Sequence, residues 1–294
     1  MHSTSLLVAA FAAIAAASPM GSSAYSSANT AYPTTTGGYS MTTSYVETGY
    51  STASEKGSST VSEKGYPTAI GNPTASPNPT PTDGVIAKLL TEANTVSRFM
   101  DIQKEIEAGD LSLKFDFNPA ANPGATVGLG GQVDLAQRAN FPILTGLGIS
   151  AAGIFFNPCG LNTPHIHPRA TEFLTLVTDT KMLSGFVLEN GFTTELNTTL
   201  TQFQGTVFPQ GSIHFQQNLD CKPAVAIAGL NSEDPGASSV AQNFLVNIDP
   251  EIVDATLGFP KQIDADNFAQ FKENIPVSLA KGVEECLIRC NIPY

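Results

Sequence analysis

Pro164-His165-Ile166-His167-Pro168-Arg169-Ala170-Thr171-Glu172, answered by Phe208-Pro209-Gln210-Gly211-Ser212-Ile213-His214, decides how this chain reads. The sequence holds four histidines; one is His2, and the other three stand in these two stretches. Imidazole is the commonest protein ligand for a transition metal, and two imidazoles one residue apart on an extended strand point to the same face, because the strand period is two. His165 and His167 can therefore reach one ion together. Glu172 lies an odd number of residues beyond His167, so an unbroken strand would turn it to the opposite face. Pro168 is placed to reset that register, since it has no N–H for a ladder and favours a bulge, an edge or a bend. His214 would arrive from a different strand and complete a set of three imidazoles and one carboxylate. A lone histidine is more often a satisfied core or surface residue than a ligand. Three gathered with a glutamate in two short motifs read as a metal site.

Outward from these motifs, residues 140–247 divide into short apolar runs separated by turns: 149–156, 173–177, 183–189, 193–200, 205–208 and 224–228. Short strands without a helical period between them predict an antiparallel sandwich or barrel. Asn197-Thr198-Thr199 is a glycosylation sequon in one of these strands or its turn. Upstream, Asp83 can cap a helix running to about Gly109, with Ile86, Leu89, Leu90, Ala93, Val96 and Met100 at helical spacing. Residues 111–117 alternate apolar and polar and read as a strand. The glycines at 128, 130 and 131 lack the lysine and the following helix of a nucleotide-binding loop. Downstream, helices are predicted over 250–257, 265–275 and 277–290, with apolar stripes that would pack on a second copy or on their own barrel.

The start of the chain is different in kind. An apolar, Ala-rich run from Leu6 to Ala17 followed by small residues reads as a secretory signal and is too short for a membrane span. Ser, Thr, Gly, Pro and Tyr dominate from there to residue 82, and such a composition cannot bury enough apolar surface to offset ordering entropy. A net charge of -12 argues against nucleic acid and anionic membranes as partners. Four cysteines in a secreted chain suggest two disulfides. Cys159 and Cys221 each lie a few residues from a metal motif and are expected to pair, with Cys286 and Cys290, one helical turn apart, left open.

Gly160, His165, His167 and Glu172, then Pro209, Gly211, His214 and Asn218, resemble the two signature motifs of the cupin superfamily, specifically of germins and germin-like proteins. The likeness extends through Asn140-Phe141-Pro142 and through the stretch from Ala228 to Gly236. The Ser/Thr-rich leader and the cysteines resemble the fungal spherulin-like branch. Three positions depart from the family pattern: Cys159 and Asp179 stand where glycine is usual, and Phe203-Gln204 replace a Gly-Asp pair.

The resemblance implies a mainly β fold, a double-stranded β-helix or jelly-roll barrel with flanking N- and C-terminal helices. With the composition of the start, the chain divides into a signal over 1–18 (cleaved between 17 and 24), a disordered stalk over 19–82, a cupin type-1 domain with its N-terminal helix over 83–258, and a helical extension over 259–294; the resemblance itself covers roughly 111–258. It implies Mn(II), with Fe(II) as the alternative, held by His165, His167, Glu172 and His214, and a polar contact from Asn162 to substrate or water. The implied chemistry is oxidation of oxalate with peroxide release, or superoxide turnover, by a secreted homo-oligomer of the extracellular space or cell wall. A metal-stabilised wall or spore-coat protein, or a binding module for a small carboxylate or sugar, would use the same site without turnover.

Overall fold

A computed structural model describes residues 75–82, 84–192, 194–258, 268–276 and 279–294. The expected signal, Asp83 and most of the expected stalk lie outside them. The stalk's last residues are docked: the Asn78 side chain donates to the Asp116 carbonyl (2.9 Å) and accepts from the Asp116 N–H (2.8 Å).

Among the described residues, twelve strands form two antiparallel sheets. The first runs β1 (Thr126–Gly128), β2 (Gly131–Ala136), β3 (Ser150–Phe156), β10 (Ala224–Leu230), β5 (Glu172–Leu176), β8 (Gly205–Phe208) in spatial order. The second runs β11 (Ser238–Ser239), β4 (Gly160–Ile166), β9 (Ile213–Asn218), β6 (Met182–Val187), β7 (Leu196–Leu200), with β12 (Leu279–Lys281) also paired to β4. Strand β4 thus has β9 on one side, and β12 and then β11 along the other. The inward residues Ile154, Phe156, Leu174, Leu176, Phe208 and Ala226 of the first sheet meet Met182 and Leu200 of the second in one core. Period-two alternation of aliphatic and polar residues is what lets each strand face that core on one side only.

Three predicted elements differ. The single N-terminal helix is two, α1 (Val85–Thr91) and α2 (Thr95–Ala108). Asn94 breaks it by capping α2: its Oδ1 accepts from the Ser97 N–H (3.0 Å) while the Ser97 hydroxyl accepts from the Asn94 N–H (3.3 Å). The stripe divides accordingly, with Leu89 buried beside Val85 and Ile102, whereas Val96 and Met100 are exposed. Residues 111–117 form no strand, because the Asp116 backbone spends both its polar groups on Asn78. The predicted 277–290 helix is strand β12 followed by α5 (Glu284–Arg289). Gly282 separates them, lying so close to the Cys159 carbonyl that a Cβ there would sit 2.2 Å from it. Helices α3 (Pro250–Thr256) and α4 (Phe268–Glu273) fall inside the remaining predicted helical spans.

One buried acid makes stability depend on pH. Asp134 on β2 is 1 % exposed; its Oδ1 accepts from Gln132 (2.6 Å), and its Oδ2 has no hydrogen bond. Burial pushes its carboxyl up to about 6, against the opposing Gln132 hydrogen bond. The folded state therefore holds the proton more tightly than the unfolded chain, so the penalty is absent at low pH and full above about pH 6. Asp134→Asn should raise unfolding free energy by ~2 kcal/mol at pH 8 and by much less at pH 4, read from urea titrations.

Candidate metal centre

The motif strands bring the ligands together through two local irregularities. Strand β4 pairs with β9 so that His165 stands opposite His214, but between the Asn162–Gln216 pair and this one β4 carries an extra residue. That bulge, at Thr163 and Pro164, lets Asn162 and His165 both be buried despite their odd spacing, while Pro164 is exposed. Beyond Ile166 the strand ends. The chain bends at Pro168, crosses to the facing sheet over residues 168–171, and re-enters as β5 with Glu172 opposite Phe208 and Leu230. The odd spacing of Glu172 from His167 is thus resolved by a change of sheet.

All four side chains are buried: His165 and His167 8 % exposed, Glu172 3 % and His214 1 %. Their potential ligand atoms lie within 4.8 Å of one another. Each imidazole Nδ1 is hydrogen-bonded to a backbone carbonyl: His165 to Thr163 (2.8 Å), His167 to Gly236 (2.6 Å) and His214 to Ser212 (3.0 Å). A carbonyl only accepts, so Nδ1 carries the hydrogen and Nε2 is left with its lone pair for an ion. Glu172 Oε2 lies 2.9 Å from His167 Nε2 and 3.5 Å from His214 Nε2. Glu172 Oε1 and His214 Nε2 have no hydrogen-bond partner, an arrangement that is costly in a buried site and that a cation would relieve. Phe208 stacks on His214, with ring centroids 4.5 Å apart.

Burial, with help from the neighbouring His214, pushes the His165 imidazole down to about 3. Burial opposes ionisation of Glu172 as well, but the close His167 imidazole, with the nearby His214, outweighs it and holds the carboxyl low, at about 2. His167 moves the other way: burial disfavours its charged form, and the Glu172 carboxylate more than compensates.

The Gly236 carbonyl that orients His167 belongs to a clamped turn. Arg169 donates to the Asp234 carbonyl through Nε and to its carboxylate through a guanidinium nitrogen, both at 2.8 Å, and Arg138 pairs with Glu233 at 2.8 Å. Gly236 itself has φ 67°, and a Cβ there would come within 2.9 Å of Arg169. Sequence reasoning assigned no role to Arg138, Arg169, Glu233 or Asp234; the stretch ending at Gly236 had registered only as part of a likeness. Asp234→Ala should leave the barrel folded and weaken divalent-ion binding about tenfold, measured by titration calorimetry.

Asn162, predicted to contact substrate, lines the cavity over the ligands and donates to Gln216 Oε1 at 2.7 Å. Asn197 is exposed on the outer strand β7, accessible for the predicted modification. The predicted Cys159–Cys221 bridge is not what forms: Cys159 joins Cys286 and Cys221 joins Cys290. Helix α5 and its capping residue carry Cys286 and Cys290 one turn apart, so each reaches one of the two loop cysteines. Cys159 and Phe203 occupy the left-handed region, at φ 56° and 62°, so both chain reversals survive the loss of glycine. Asp179 is not among the residues of positive φ, so its turn does not need that conformation.

The cupin family profile matches residues 118–264. Spherulin-1B of Physarum polycephalum is 31% identical over 220 residues, covering 75% of this chain and 84% of its own. Germin-like protein 8-5 of Oryza sativa subsp. japonica is 42% identical over 157 residues, 52% of this chain and 69% of its own. Among solved structures, an oxalate oxidase in complex with the substrate analogue glycolate is similar at 27% identity and TM-score 0.45, over 49% of this chain and 71% of that one. With the profile match, the spherulin likeness along most of both chains and two facing antiparallel sheets around a three-His, one-Glu group, the chain belongs to the cupin superfamily, as a germin-like protein close to the spherulins.

Proposed function

We propose that this is a secreted metalloprotein in which His165, His167, Glu172 and His214 hold one divalent ion, Mn(II) in the first place and Fe(II) as the alternative, and that the centre acts on oxalate or superoxide. The observation that carries this reading is the convergence of three imidazoles whose Nδ1 atoms are all tied to carbonyls. Nitrogen and oxygen donors without sulfur suit Mn(II) or Fe(II), and four protein ligands are fewer than such ions take, which leaves room for a small anion. A bound ion of this kind supplies Lewis acidity and one-electron redox capacity. Asn162, fixed by Gln216, would orient the anion through a hydrogen bond. Because the ion needs neutral imidazoles and an ionised carboxylate, affinity should fall as the pH drops.

A non-catalytic wall or spore-coat role is the second reading. It is favoured by one feature: His165 and His214 come from one sheet and Glu172 from the other, so an ion would tie the two together. The signal, stalk, cupin domain and C-terminal extension are part of the proposal with the boundaries given above, except that Asn78 at the end of the stalk docks on the domain and β12 joins its sheet, and a homo-oligomer is part of it too. To test it, the protein is purified without added metal, its metal content is measured, and peroxide release from oxalate and loss of superoxide are assayed. Stoichiometric manganese with peroxide supports the oxidase; manganese with neither activity supports the structural role; absence of metal overturns both.

A further inference from the structure

The cavity over the ligand set measures about 340 Å³, at the lower end of the range for small-molecule sites. Its two walls differ in chemistry. His165, His167 and Asn162 line one side, and on the opposite sheet Val133, Leu135, Ile154 and Leu230 present an aliphatic surface beside Glu172, with the Thr126 and Ser239 hydroxyls also in the lining. Among the described residues, no lysine or arginine lines it. Arg138 and Arg169, which clamp the Gly236 turn, are already paired with Glu233 and Asp234. A divalent ion, one carboxylate and three neutral imidazoles sum to a single positive charge, enough to neutralise one negative charge on a ligand. A second would lie in a cavity without a counter-charge, in a chain of net charge -12. A compact dianion also leaves the aliphatic wall without a partner.

Granted the ion centre of the proposed function and narrowing its substrate, we infer that the cavity selects a chelating monoanion with a short aliphatic body, of the 2-oxo- or 2-hydroxycarboxylate class, over a compact dianion, so that oxalate would be taken as its monoanion. The carboxylate and its neighbouring oxygen meet the ion and Asn162, and the alkyl group lies against Leu135, Val133 and Ile154.

The test is calorimetric and does not depend on turnover. The intact Mn(II)-loaded protein is titrated with glyoxylate, 2-oxobutanoate and 4-methyl-2-oxopentanoate, which share a head group and differ in tail, and separately with oxalate. Each methylene fully buried on the aliphatic wall is worth about fourfold in affinity, so the branched acid should bind at least tenfold more tightly than glyoxylate. Leu135 is only partly buried, so Leu135→Arg should fold and keep its manganese. That variant should lose the gain from the tail and bind oxalate several-fold more tightly than the parent. A flat series, or an oxalate affinity unmoved by the new cation, overturns the inference while the ion centre stands. Failure to load manganese overturns the centre and the inference together.

Discussion

Glu172→Gln is expected to leave a folded barrel that has lost at least a hundredfold in Mn(II) affinity. The carboxylate is 3 % exposed and stands on the sheet facing His165 and His214, so in the variant the isosteric amide fills its place without its charge. Loss of an outer support already costs ten- to a hundredfold in such sites, and loss of a charged ligand should cost more. Folding should survive for a specific reason. His167 Nδ1 faces the Gly236 carbonyl, so in the neutral imidazole Nε2 is an acceptor, and an amide at position 172 can donate to it. The substitution also removes a buried charge whose desolvation was offset by the His167 and His214 imidazoles. Urea unfolding of the metal-free protein should therefore move little, while elemental analysis after dialysis should find the variant nearly empty. Full occupancy at neutral pH would remove Glu172 from the ligand set.

Removing the Cys159–Cys286 bridge should be the most damaging change to stability outside the core. It closes a separation of 127 residues, for which loss of the cross-link is worth about 4 kcal/mol, mostly through the unfolded chain. For a domain of this size that is a fall in Tm of roughly 10 °C, visible by scanning calorimetry of a Cys159→Ala, Cys286→Ala double variant. Peptide mapping under non-reducing conditions should recover Cys159 linked to Cys286; a Cys159–Cys221 peptide would contradict the arrangement described above.

The ligand set could be read from the sequence because its chemistry is local. Two histidines one residue apart, a glutamate a few residues on, and a third histidine after Pro-x-Gly are spaced by the strands that carry them. Most of the antiparallel strands were legible for the same reason, as period-two runs between turns. What was missed depends on contacts distant in sequence. The pairing of β12 with β4 overrides a helical pattern over 277–290, since a three-residue strand leaves almost no periodic signal. The disulfide pairing follows from where α5 docks. The break at Asn94 was available as a capping signal, Asn followed three residues later by Ser, but the apolar spacing across it suggested continuity. The clamp on Gly236 lies about seventy residues from His167, and nothing near either one announces it.

The placement of β12 has a bearing on how the protein is made. Strand β4 carries His165, and its N-terminal half finds its second neighbour only in residues 279–281. At ordinary synthesis rates the 127 residues from Cys159 to Cys286 take roughly 6 to 25 s to emerge. Through that interval the ligand-bearing strand presents unpaired N–H and C=O groups beside a thiol that has no partner yet, a template for pairing with other nascent chains. Completion of the barrel is therefore a late, long-range event, slow in the way that non-local strand pairing is slow. A compartment that both oxidises thiols and shields open strand edges is the setting in which this chain should reach its native state in good yield.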